Sequence, residues 1–227
     1  MQQEQNSEKQ IMKRDMKLIA ALCLNALIVV FELIALVLSL IDQGLDSFQF
    51  YTQDSNYLAM AASLCFCLYG VKQLRGKSEM PGWVHSFRYV TVSCLMVTFF
   101  VVILVLMPMM GENALYMLYG GSMLYQHTLC PLLAAISFFT FEAAEQLPKQ
   151  KILKALIPTL VYAVAAIILN LGRVIEGPYP FLMVHAQPWY ASVLWCVVIL
   201  GIAALLAAGV LALHNRAARA QNKAEIS

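Results

Sequence analysis

Charge is what this sequence has least of. Only 12% of its 227 residues are Asp, Glu, Lys or Arg, while 61% are hydrophobic. An ordinary soluble domain does not have that balance, so water is excluded as the main solvent. The formal charge of +2 is spread in small groups with no aromatic-basic surface, which argues against a nucleic-acid partner. The six cysteines (Cys23, Cys65, Cys67, Cys94, Cys130, Cys196) all fall in apolar runs. No CxxC and no Cys/His cluster with metal-ligand spacing occurs, so no disulfide, metal site or cofactor is expected. A cleavable signal pattern is also missing, because residues 1–17 are polar throughout before the first apolar run begins. No internal repeat of the kind that marks many transporters stands out.

What is present is a series of long apolar runs. A spanning helix takes about 20 such residues. The runs predict spans from about Leu18 to Ile41, Phe50 to Val71, Arg88 to Met107, Ala114 to Phe141, Ala155 to Ile175 and Tyr190 to Leu213. The expected fold is an all-α integral membrane bundle of six transmembrane helices. Residues 1–17 form an N-terminal segment, 18–213 the membrane domain and 214–227 a tail. At alternate span ends, 14 of the 15 basic residues collect on one side and only Arg173 lies on the other. By the positive-inside rule both termini are cytoplasmic. The third span is β-branched and apolar all round, which predicts extensive lipid contact.

Polar residues inside the spans carry the functional reading. On the second, Thr52, Ser55, Asn56, Ala59 and Ser63 follow helical spacing and share one face. Packing explains such a stripe, because small and hydroxyl residues let membrane helices approach; a catalytic hydroxyl is the alternative. On the fourth, His127 stands four residues before Pro131, whose ring removes one helical hydrogen bond and bends the helix there. A lone histidine is often a satisfied core residue. An ionisable ring beside a broken turn inside a span is also a functional-site candidate, and imidazole is a good base near neutral pH. At 1.5 Å per residue, a straight fourth span puts His127 about 20 Å below its start, against about 10 Å for Thr52. The two meet only if the fourth span starts well above the second.

On the first span, Asn25 and Glu32 share a face, with Glu32 near mid-depth, where it would orient the histidine, protonate a leaving group or pair with Arg173. Arg173 and Asn170 lie close enough to the outer surface for the arginine to snorkel. The connection Gly177-Pro178-Tyr179-Pro180-Phe181-Leu182, followed by His185, reads as an interfacial turn or as a lid over a cavity.

The segment FYTQDSN at the head of the second span, the His127/Pro131 pair and GPYPFLMVH before the sixth together resemble the androgen-induced six-span membrane hydrolase family and its bacterial relatives. The resemblance covers most of the chain. It implies a threonine hydrolase that cleaves fatty acid esters of hydroxy fatty acids, with Thr52 as nucleophile and His127 as its partner. It also implies a multi-pass protein of the bacterial cytoplasmic membrane and a lipid ester as substrate. The residues following Thr52 are more polar here than in the animal members, and the His–Pro spacing is one shorter. Asn56, one turn from Thr52, is the expected oxyanion donor. Glu32, Arg173 and His185 are supporting candidates. Other functions compatible with the same residues are a small-molecule or proton-coupled transporter, with Glu32, His127 and Arg173 as a relay, and a non-catalytic lipid-binding protein.

Overall fold

Five of the six apolar runs become continuous helices, because in lipid every backbone N–H and C=O must be satisfied within its own segment. The computed structural model describes residues 2–226, and no strand occurs among them. The long helices are α1 (Gln2–Gln43), α2 (Tyr51–Leu74), α3 (Gly82–Val101), α4 (Cys130–Thr140), α5 (Lys151–Leu171) and α6 (Trp189–Ile226). α3 runs on through a π-helical turn, Val102–Leu106, to Met109. Five helical stretches are long and apolar enough to cross a membrane: Glu8–Gln49, Tyr51–Leu74, Gly82–Met109, Lys151–Leu171 and Trp189–Lys223. That is what a multi-pass integral membrane protein presents.

The fourth rod differs from the expected straight span. Residues 111–119 form two short helical pieces, Gly111–Asn113 and Tyr116–Tyr119. The chain then breaks at Gly120, which is extended, and at Gly121, whose φ of +51° is a left-handed value that glycine adopts without strain. A π-helical turn, Leu124–Leu129, follows and leads into α4. The widened turn lies directly ahead of Pro131, where the missing N–H was expected to disturb the ladder. From Leu124 to Thr140 the rod is about 25 Å long, short of a hydrocarbon core of about 30 Å.

The polar ends of the chain are helical too. α1 starts at Gln2 rather than Leu18, and α6 continues to Ile226 rather than stopping at Leu213. Lys17 Nζ donates to Gln221 Oε1 at 3.0 Å, so the start of α1 and the end of α6 lie at the same end of the bundle.

Burial follows the helical period. On α1, Ala21, Asn25, Ile28, Glu32, Ala35 and Ser39 are all buried, while Val30, Leu33, Val37 and Ile41 on the opposite face are exposed. Spacings of three and four put the first set on one inward stripe. α2 packs against it closely: a Cβ on Gly70 would fall 2.6 Å from Leu22 Cδ2.

The third helix corrects an expectation. It is the centre of the bundle, touching α2, α4, α5 and α6, and Tyr89, Val92, Leu95 and Val97 are buried. An all-round apolar surface suits a protein interior as well as lipid, and here protein surrounds it. Its first turns carry Arg88, fully buried, whose guanidinium donates from Nε and Nη2 to the carboxylate of Glu142 at 3.0 and 2.9 Å and from Nη1 to Ser63 Oγ at 2.9 Å. Asn25 Nδ2 and Ser137 Oγ donate to the same carboxylate at 3.0 and 2.6 Å. One ion pair thus ties α1, α2, α3 and α4 together. Arg88, one of the 14 basic residues at the span ends on one side, is the bundle's internal clamp.

Candidate functional site

Thr52 is the second residue of α2 and Asn56 lies one turn on, so both point along the buried face of that helix. The whole predicted stripe is buried, and most of it packs helices together. Ser55 Oγ bonds Thr98 Oγ1 on α3 at 2.8 Å, Ser63 bonds Arg88, and Ala59 is in the core. Asn56 donates through Nδ2 to Thr52 O at 2.8 Å and Gln126 O at 3.2 Å. Its amide protons are committed to backbone oxygens, which removes it as an oxyanion donor. Thr52 departs from this pattern: its carbonyl accepts from Ser55 and Asn56, while its side chain borders a cavity and meets the Tyr179 hydroxyl rather than a packing partner on a neighbouring rod.

His127 sits in the π-helical turn, and its Nδ1 lies 2.6 Å from Met117 O. A carbonyl only accepts, so Nδ1 carries the proton and Nε2 keeps its lone pair. Thr128 Oγ1 donates to Leu118 O at 2.8 Å. In a straight helix, residues ten apart are about 15 Å apart along the axis. The break at Gly120 and Gly121 instead folds the Tyr116–Tyr119 piece alongside residues 127 and 128, so His127 lies near the head of its rod. The depth mismatch expected from a continuous span disappears for that reason.

Thr52 and His127 border one cavity of about 220 Å³, at the end of the bundle away from the chain termini. Gln53, Gln126, Met117 and Tyr179 also line it. Gln126 donates to the side chain of Gln53, joining the two rods beneath the cavity. No hydrogen bond joins Thr52 directly to His127.

Tyr179, read along the chain only as part of a turn or lid, reaches the site itself. Thr52 N donates to its hydroxyl at 3.4 Å, and it lines the same cavity. Its ring stacks on Phe181, with centroids 5.1 Å apart, and meets Phe50 edge-on. Gly177, at φ +97°, turns the chain so tightly that a Cβ would lie 3.0 Å from Leu182 O. Tyr179, Phe181 and Leu182 are buried. The segment therefore covers the cavity, in agreement with the lid reading, whose signal along the chain was the aromatic and apolar residues within a proline-rich connection.

The remaining supporting candidates do not reach the cavity. His185 is exposed, and its Nε2 bonds Asn170 O at 3.0 Å, while Asn170 Oδ1 accepts from Val184 N at 2.8 Å. Both residues brace the lid. Arg173 lies beyond the end of α5, exposed and with φ +55°, and makes no ion pair with Glu32. Glu32 is fully buried with neither carboxyl oxygen hydrogen-bonded, and the Cys130 thiol lies beside it. A relay through Glu32, His127 and Arg173 is not assembled. Among the described residues no group of three or more His, Cys, Asp or Glu is placed to hold a metal ion.

No protein-family model matches this chain, and no curated protein or solved structure matches it either.

Proposed function

We propose that the protein is an intramembrane threonine hydrolase that cleaves lipid esters with a Thr52–His127 pair. One observation carries the reading: a hydroxyl and an imidazole from separate rods face the same cavity, with the imidazole held by Met117 O in the tautomer whose Nε2 is a base. A threonine hydroxyl is a weak nucleophile until a nearby base removes its proton. In the proposed cycle, His127 Nε2 takes the proton of Thr52 Oγ1 as the oxygen attacks the ester carbonyl. The imidazolium then gives that proton to the departing alcohol, leaving an acyl-threonine. Water, deprotonated by the same nitrogen, releases the acid and restores the hydroxyl. Thr52 lies in the first turn of α2, where the helix dipole favours the negative charge that develops. The cycle as written needs no metal or cofactor.

The resemblance to the androgen-induced hydrolase family supports the same pair and adds the substrate class, fatty acid esters of hydroxy fatty acids or similar. On this reading the fourth rod counts as the sixth span, both termini face the cytoplasm and the protein resides in the bacterial cytoplasmic membrane.

The test is ester hydrolysis by purified protein beside Thr52→Ala and His127→Ala. Loss of about 10²- to 10⁴-fold in each variant is expected for removal of a nucleophile or its base, and Thr52→Ser retains activity. Equal rates in wild type and both alanine variants would discard the reading.

A further inference from the structure

Tyr179 touches the proposed nucleophile twice. Thr52 N donates to its hydroxyl oxygen at 3.4 Å, and the same hydroxyl bonds the Thr52 side chain. The backbone N–H of Tyr51 is directed at that oxygen as well. A phenol oxygen has two lone pairs and one proton. Two N–H groups from the first turn of α2 take up the lone pairs, so the proton is what Tyr179 gives to Thr52 Oγ1. The proton of Thr52 is then left for another acceptor across the cavity that it shares with His127.

The tyrosine is built into the site. Its ring lies stacked on Phe181 and edge-on to Phe50, with centroids 5.1 and 5.9 Å away, and the residue is 9% exposed. Both ends of its loop are tied to one side chain: Asn170 Nδ2 donates to Ile175 O at 2.9 Å, and Asn170 Oδ1 accepts from Val184 N at 2.8 Å. A donor held by packing on one side and by its loop on the other needs little reorganisation when charge appears beside it, which is the condition for electrostatic stabilisation.

Building on the hydrolase reading, we propose that Tyr179 is a third catalytic residue, whose hydroxyl stabilises Thr52 Oγ1 as the leaving oxygen of the deacylation step. The acyl-threonine carries its acyl group on Oγ1. Water, deprotonated by His127, adds to the acyl carbon, and the tetrahedral adduct collapses by breaking the C–Oγ1 bond. The electron pair goes to Oγ1, the proton held on His127 follows it, and the free acid departs. Charge builds on Oγ1 as that bond stretches, and a hydrogen bond to a charged oxygen is worth more than one to a neutral oxygen. The free hydroxyl of Thr52 already accepts this bond before acylation, whereas the ester oxygen of the acyl-threonine is a poorer acceptor. The gain between ground state and transition state is therefore larger in deacylation, and only that gain raises the rate.

The experiment follows hydrolysis of p-nitrophenyl octanoate by the purified full-length protein, because the coloured alcohol leaves in acylation and steady turnover then waits on deacylation. Tyr179→Phe keeps the ring that packs against Phe50 and Phe181 and removes only the hydroxyl. We expect its kcat to fall by about tenfold to a hundredfold. KM should fall in parallel, and kcat/KM, which reports acylation, should stay close to the wild-type value. The acyl adduct on Thr52, followed by intact mass after mixing, should decay more slowly by the same factor as kcat. That decay rate does not depend on how much of the protein is active, so it reads the step even in a poorly folding preparation. A merely structural role would lower kcat/KM as much as kcat and leave the decay unchanged. Either that pattern or a wild-type kcat overturns the proposal. Thr52→Ala separates the two levels. Hydrolysis at the wild-type rate there ends the hydrolase reading itself; an inactive Thr52→Ala beside a Tyr179→Phe with wild-type kcat ends only the role given to Tyr179.

Discussion

The two ends of the bundle treat buried polar groups in opposite ways. Near the chain termini, Arg88 and Glu142 are fully enclosed, and Asn25, Ser63 and Ser137 complete the bonds to them. At the other end, Thr52, His127 and Tyr179 border hollow space; Thr52 and Tyr179 bond each other, and His127 Nδ1 bonds Met117 O, which leaves its second nitrogen toward the cavity residues. The first arrangement fixes where the helices stand. The second keeps reactive atoms available. A membrane bundle gains little from apolar burial against lipid, so a polar clamp at one end is a means of holding the rods while the other end stays open.

The largest effect is expected from breaking the clamp. Arg88→Ala or Glu142→Ala leaves a buried charge without its partner, which costs about 3–5 kcal/mol. The apparent melting temperature of the detergent-solubilised protein should fall accordingly, with loss of monodisperse protein on size exclusion. Wild-type melting in either variant would show that the pair holds nothing together. The double change Arg88→Met with Glu142→Leu sharpens the point. It removes both charges and should recover most of the loss, because an apolar pair of similar volume is often neutral or stabilising.

Acid provides a milder probe of the same contact. Glu142 lies in the loop after α4; burial alone would push its carboxyl up, but the Arg88 guanidinium and the hydrogen bonds from Arg88, Ser137 and Asn25 hold it below the usual 4.5. A carboxyl whose pKa is lower folded than unfolded contributes stability above pH 4.5, and that contribution is lost as pH falls through the folded value. Melting temperature against pH should therefore drop below about 4.5 in the wild type and less steeply in Glu142→Gln. Parallel curves would show that another group controls the acid limit.

The smallest effect is expected at Glu32. It is as deeply buried as Glu142 yet has no cation and no hydrogen bond to either oxygen. Glu32→Gln keeps the shape and removes the ionisable group, so stability should change by no more than about 1 kcal/mol. A loss as large as that of Glu142→Ala would show that the carboxyl has a partner as strong as Arg88.

Much of this was legible along the chain, for identifiable reasons. The α1 face carrying Asn25 and Glu32 and the α2 stripe from Thr52 to Ser63 are set by local geometry, since a helix of 3.6 residues per turn fixes which side chains share a side. The π turn before Pro131 follows from one missing N–H. The fourth rod escaped because its glycine pair turns the chain back on itself, and hydropathy alone does not distinguish a folded cap from more helix. Asn56 looked like a free donor because its acceptors, Thr52 O and Gln126 O, are backbone atoms, one of them on another rod.

Residue composition and period were enough to determine an all-helical chain with apolar runs of bilayer length and the inward faces of its first two helices, because those properties depend on neighbours within a few turns. Only the tertiary structure decided that α3 is central, that Arg88 meets Glu142, that Met117 O orients His127 and that Tyr179 reaches Thr52. Each of these joins residues far apart in sequence or across a break in a helix, and such contacts depend on how the rods pack, which no local spacing encodes.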